Sequence, residues 1–137
     1  MGFVKLNKES MESNLTFGQA LEAVKQGKLI SREGWNGKGM FIFMRPADEI
    51  AVPVVVNQVK SLPKAVKDYF YNNSNPSVPL LEQTETVKFT AYLCMKAADN
   101  SIVNGWLASQ TDMLSSDWGI LESEPIPDTT PAATIQD

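Results

Sequence analysis

Apolar residues in this chain come in short bursts, and turn-forming residues stop nearly every one. Met40 to Arg45 halts at Pro46, and Val52 to Val56 runs into Asn57. The longest stretch, Val87 to Ala97, ends just before Asp99-Asn100. Bursts of this length, rich in β-branched and aromatic side chains, read as strands separated by turns. Leu29 to Arg32, Met40 to Arg45, Val52 to Val56, Val87 to Ala97 and Trp118 to Leu121 are the strand candidates. Ile102-Val103 returns after the Asp99-Asn100 turn as the second arm of a hairpin. No burst approaches the roughly 18–20 apolar residues of a membrane span.

Two segments break the strand pattern. Thr16 and Gln19 have the spacing of a capping box, in which each side chain satisfies a backbone donor of the other. Phe17, Ala20, Leu21 and Val24 follow at the spacing of one helical face, and Gly27 supplies a left-handed end. A helix is therefore predicted over residues 16–26. A second, shorter helix is predicted from Leu62 to Tyr71, with Pro63 in its first turn and Leu62, Val66, Tyr69 and Phe70 on one side. Ser109 to Asp117 reads as a helical turn or ordered loop.

These elements make an α+β fold: a mostly antiparallel sheet, one N-terminal helix packed on it, and a short second helix in an insertion. Residues 1–13 form an arm, with Phe3 to Leu6 a possible edge strand. Residues 14–122 form one domain, interrupted by the insertion at about 48–86. Residues 123–137, with Pro125, Pro127 and Pro131, carry too little apolar surface to offset ordering entropy and are expected to be mobile.

Composition limits the chemistry. A formal net charge of −4 over 137 residues argues against a DNA or RNA polymer as partner. It leaves room for one small phosphate ligand, which a few amides and a cation can hold. There is no histidine, so the usual base of a catalytic triad is missing. No P-loop or dinucleotide fingerprint occurs, and no cofactor is implied. The single cysteine, Cys94, reads as a buried thiol in a strand. With no signal peptide or membrane span, a soluble protein of the bacterial cytoplasm is expected.

Two segments can carry binding. In Trp35-Asn36-Gly37-Lys38-Gly39-Met40, Gly37 and Gly39 let a ligand approach the main chain, and their amides can converge on an anion. Trp35 offers a face for a purine, Asn36 can read a base or ribose edge, and Lys38 and Arg32 can pair with phosphate. The alternative is a turn whose tryptophan plugs the core. The second segment, Trp106 to Trp118, sets Ser109, Gln110, Thr111, Ser115 and Ser116 between two tryptophans, which suits a polar, ring-bearing ligand. Its alternative is a capped loop with Asp112 and Asp117 as caps and Trp118 in the core. Asp112 and Asp117 as an acid/base pair, or Lys38 as a nucleophile, are the enzymatic readings, and capping and turn formation compete with them.

Read in order, Thr16-Phe17-Gly18-Gln19-Ala20-Leu21, then Arg32 to Met40, then Trp106 to Leu114 with Asp117-Trp118, resemble the phage Thoeris anti-defence proteins of the second type. The resemblance spans about residues 14–122. It implies a non-enzymatic sponge that binds a cyclic ADP-ribose isomer made by bacterial Thoeris immunity and holds it uncleaved. For some relatives it further implies uptake of cyclic di- or trinucleotide CBASS signals at a separate site. It implies a homotetramer with pockets where subunits meet. Trp35, Asn36, Lys38 and Met40 carry over as pocket residues, and Ser109, Gln110, Thr111 and Asp112 as their partners. The insertion and the proline-bearing tail depart from the shorter members. A phage structural or protein-partner-binding module with no nucleotide ligand is the competing reading.

Overall fold

The structure is a computed structural model that describes residues 12–127. The possible strand at Phe3 to Leu6 and the tail beyond Pro127 lie outside the described residues. In chain order the elements are β1 (Glu12–Leu15), α1 (Phe17–Lys25), β2 (Leu29–Arg32), β3 (Phe41–Arg45), β4 (Asp48–Ala51), α2 (Val52–Asn57) and α3 (Lys64–Asn72). They continue with β5 (Thr86–Phe89), β6 (Tyr92–Lys96), β7 (Ile102–Asn104), α4 (Gln110–Leu114) and β8 (Trp118–Leu121). The fold is α+β and its strands pair antiparallel.

The described residues fall into two compact units, 12–46 with 91–127, and 47–90. The first holds a six-stranded sheet in the order β1-β8-β2-β3-β6-β7. Ile30 stands in register with Ile120 on one side and Ile42 on the other, and Ile42 with Met95. This cross-strand row faces α1, whose Ala20 and Val24 are fully buried. The small alanines let the helix come close, while Trp118, also fully buried, packs against Phe17 with ring centroids 5.4 Å apart. The capping box forms as the spacing predicts: the Gln19 amide donates to Thr16 Oγ1 at 3.1 Å and the Thr16 amide to Gln19 Oε1 at 2.9 Å. Gly27, at φ 93°, ends the helix.

Because side chains alternate along a strand, the residues between the core positions point away from α1. Ser31 and Gly119 are paired in register there, beside Leu121. Opposite Gly119 the edge strand β1 carries a bulge, with Ser13 and Asn14 placed between the pairs Glu12–Ile120 and Leu15–Trp118. Asn14 takes the left-handed conformation, φ 58°, that such a kink demands. Glu12 and Ser13, placed in the N-terminal arm by the sequence reading, thus belong to the sheet.

The second unit packs α2, α3 and a short 3-10 turn (Leu80–Glu82) with the β4–β5 ribbon. Its core is Val52, Val55 and Val87, flanked by Leu62 and Phe70. Gln83, buried, donates through Nε2 to the carbonyls of Asn75 at 2.7 Å and Val78 at 2.8 Å, pinning the intervening loop.

Here the structure corrects two expectations. Val52 to Val56 is helix, not strand, so this unit contains two helices where the sequence suggested one. Pro53 lies in the first turn of α2, where its missing N–H costs nothing, and Val52, Val55, Val56 and Val59 sit at helical spacing. Burial of that face outweighs β-propensity, which mainly reflects fit to a pleated surface. Val87 to Ala97 is likewise not one strand. It divides at Thr90-Ala91, because β5 pairs with β4 while β6 pairs with β3 in the larger sheet.

Candidate functional site

At the end of β2 the chain makes a 3-10 turn, Glu33–Trp35, and then needs three left-handed residues in close succession. Asn36 (φ 61°), Gly37 (φ 66°) and Gly39 (φ 76°) supply them. Lys96, reaching across from β6, donates to the Gly39 carbonyl at 2.8 Å and fixes the return of the loop to β3. An open pocket of about 650 Å³ lies against this loop. That volume is in the range of small-molecule sites.

The loop contributes Trp35, Gly37, Lys38, Gly39 and Met40 to the wall, and β2 contributes Ser31, Arg32 and the following Glu33. Gly119 and Leu121 of β8, with Asp117 before it, and the β1 bulge residues Ser13 and Asn14 complete it. All belong to the first unit. Trp35 is half-buried, set edge-on to Trp118 at 5.3 Å and to Trp106 at 6.3 Å. The indole packs on the core and also lines the cavity. Lys38 is exposed and makes no ion pair among the described residues.

Arg32 is differently placed. Its Nε donates to Asp117 Oδ1 at 2.9 Å and its Nη1 to Asp112 Oδ1 at 2.8 Å, with only 14% of the side chain exposed. Asp117 Oδ2 also accepts the Gly34 amide at 2.9 Å, and the Asp117 carbonyl accepts the Glu33 amide at 3.0 Å. Asp112 Oδ2 accepts the Ser109 amide at 3.0 Å while Ser109 Oγ accepts the Asp112 amide at 3.0 Å, a capping box at the start of α4. The Trp118 indole N–H donates to the Asp112 carbonyl at 2.8 Å.

Hydrogen bonding from Arg32 holds the Asp117 carboxyl below the ordinary carboxylate range. For Asp112 burial pushes upward, but hydrogen bonds from Ser109 and Arg32 outweigh it, and its carboxyl is also held low. The same carboxylates raise Arg32, its hydrogen bond with Asp117 foremost. Neither aspartate is poised to give up a proton near neutral pH.

Of the residues singled out from sequence, Arg32, Trp35, Gly37, Lys38 and Met40 come together on the pocket. Asn36 turns the loop but does not line it, and Ser109, Gln110, Thr111 and Asp112 lie outside the lining among the described residues. Ser109 and Asp112 cap α4, and Asp112 reaches the loop only through Arg32. Sequence reasoning missed Ser13, Asn14, Ser31, Glu33, Gly119 and Leu121 as wall residues. The alternation that puts Ile30 and Ile120 on the core was the available signal for Ser31, Gly119 and Leu121. The β1 bulge left no signal.

Fold and site together define a small antiparallel α+β domain with an open pocket under a glycine-rich, tryptophan-bearing loop. A family model described as the Thoeris anti-defense 2-like domain matches residues 15–121, a span that includes 47–90. The chain is also 33% identical over 111 residues to "Thoeris anti-defense 2" of Bacillus phage SP01, a match covering 81% of this chain and 99% of that protein. It belongs to the Thoeris anti-defense 2-like family. Membership supports an anti-defence role. No helix among the described residues is long and apolar enough to cross a membrane.

Proposed function

We propose that this protein binds a cyclic ADP-ribose isomer, holds it without cleaving it, and so starves Thoeris defence in the bacterial host cytoplasm. The observation that carries the reading is the meeting, on one cavity, of an indole, a glycine-rich turn and an uncommitted lysine. An adenine stacked on Trp35 gains about 1–3 kcal/mol, and Lys38 with nearby loop amides faces the pyrophosphate. Such binding asks for shape and donors but no general base.

Effective sequestration needs tight binding, about −12 kcal/mol for a nanomolar Kd. The cavity is open, so a neighbouring copy closing over it in a homotetramer is part of the proposal. Cyclic di- and trinucleotides form a second ligand class, taken up at a separate site.

Titration calorimetry against the cyclic ADP-ribose isomer, linear ADP-ribose and cyclic di- and trinucleotides tests this. The bound isomer is expected to come off intact when the protein is heated to unfold. Recovery of a cleaved product would instead mean a hydrolase or lyase. Heat-silent titrations with every nucleotide would leave a protein-partner-binding module. Trp35→Ala is expected to weaken binding by about fivefold to about 150-fold, the stacking energy converted, while gel filtration with light scattering still reports the tetramer. A wild-type monomer would remove the enclosing partner from the proposal.

A further inference from the structure

Both cations on the pocket wall, Arg32 and Lys38, offer themselves for a phosphate, yet their surroundings differ. Three of the Arg32 nitrogens already face carboxylate oxygens, with Nη2 3.4 Å from Asp117 Oδ2 in addition to the two shorter bonds. Those carboxylates come from positions 80 and 85 residues further along the chain. One arginine thus joins the end of β2 to the start of α4 and to the residue before β8. The other side of the same Asp117 carboxylate holds the Gly34 amide inside the 3-10 turn that carries Trp35. Lys38 has no such ties among the described residues and stands exposed on the wall.

We infer a division of labour. Arg32, with Asp117 and Asp112, is a positioning unit that sets the loop and the Trp35 indole, whereas Lys38 supplies the charge that meets the ligand's anion. The inference rests on the nucleotide-binding reading for the role of Lys38; the Arg32 part concerns the loop itself. A planar guanidinium can bridge two carboxylates at once, and an ammonium of the same charge cannot reproduce that fork. With a balancing carboxylate on each side, Arg32 also offers an incoming phosphate little net attraction.

A charge-conserving substitution separates positioning from charge. Amide hydrogen exchange over residues 33–39, read with or without ligand, is paired with titration of the cyclic ADP-ribose isomer at two salt concentrations. Arg32→Lys is expected to speed exchange in the loop and weaken binding about tenfold, although the charge is unchanged. Lys38→Gln is expected to leave loop exchange at the wild-type level, weaken binding, and flatten its salt dependence. Should Arg32→Lys not fold, Asp117→Asn keeps the volume while turning an amide NH2 toward one of the two donors, and faster loop exchange is again expected.

Arg32→Lys with wild-type loop exchange would overturn the positioning role, whatever its affinity. An unaltered salt dependence in Lys38→Gln would overturn the other half. A wild-type protein that binds no nucleotide would overturn the functional reading and the Lys38 half with it, and exchange alone would then decide the Arg32 lock.

Discussion

A methyl group on Gly34 would sit 3.0 Å from Asp117 Oδ2, which accepts the Gly34 amide at 2.9 Å, and 3.1 Å from Nη2 of the Arg32 guanidinium, which is anchored through Nε at 2.9 Å and Nη1 at 2.8 Å. Neither atom can yield without lengthening those bonds. Gly34→Ala is expected to cost about 1–3 kcal/mol in urea unfolding, the range for disturbing a partly buried hydrogen-bonded network. A Cβ on Gly37 would meet open space but would sit at φ 66°, so Gly37→Ala is expected to cost only about 1 kcal/mol of backbone strain.

The aspartates give a pH prediction at the same scale. Their carboxyls are held lower in the folded protein than in the unfolded chain. The stabilisation is therefore complete above the unfolded value, about 4, and is lost as pH falls through the lower folded values. Melting temperature is expected to fall below about pH 4 in the wild type and less steeply in Asp117→Asn. A parallel fall in both proteins would mean that other carboxylates dominate.

At the scale of elements, α2 is the instructive case. A strand would put Val52, Val54 and Val56 on one face, whereas the helix buries Val52 and Val55 and leaves Val54 half-buried. Val55→Ala is expected to destabilise by about 1–2 kcal/mol and Val54→Ala by clearly less, measured by chemical unfolding. Equal losses at 54 and 56 with none at 55 would restore the strand. The helix α4 is only five residues long, and its capping box orders it in place. The Ser109–Asp112 segment, read from sequence as ligand-facing, buttresses the loop through Arg32.

For the whole molecule, the register of the larger sheet gives a prediction about the unit at 47–90. Arg45 pairs directly with Tyr92, so β3 and β6 already form the arms of a hairpin whose connection is that unit. Replacing residues 47–90 by an Asn-Gly turn is expected to leave the six-stranded sheet folded, because a two-residue turn suits adjacent antiparallel strands. The pocket wall lies entirely in the unit that remains, so nucleotide affinity is expected to stay within about threefold, under 1 kcal/mol. A chain that folds but no longer binds would give 47–90 a part in the site.

Much of this was legible because its causes are local. The capping box, the α1 face and the glycine turns depend on hydrogen bonds and periodicities spanning a few residues. A window of sequence contains everything that decides them. The sequence also brought Trp35, Gly37 and Lys38 together, since they share one loop. Only the tertiary structure decided that Val52 to Val56 coils, that Val87 to Ala97 divides between two sheets, and that Arg32 is committed to carboxylates 80 and 85 residues away. Each depends on which distant surface covers a segment or which distant charge answers it, and no local pattern encodes that choice.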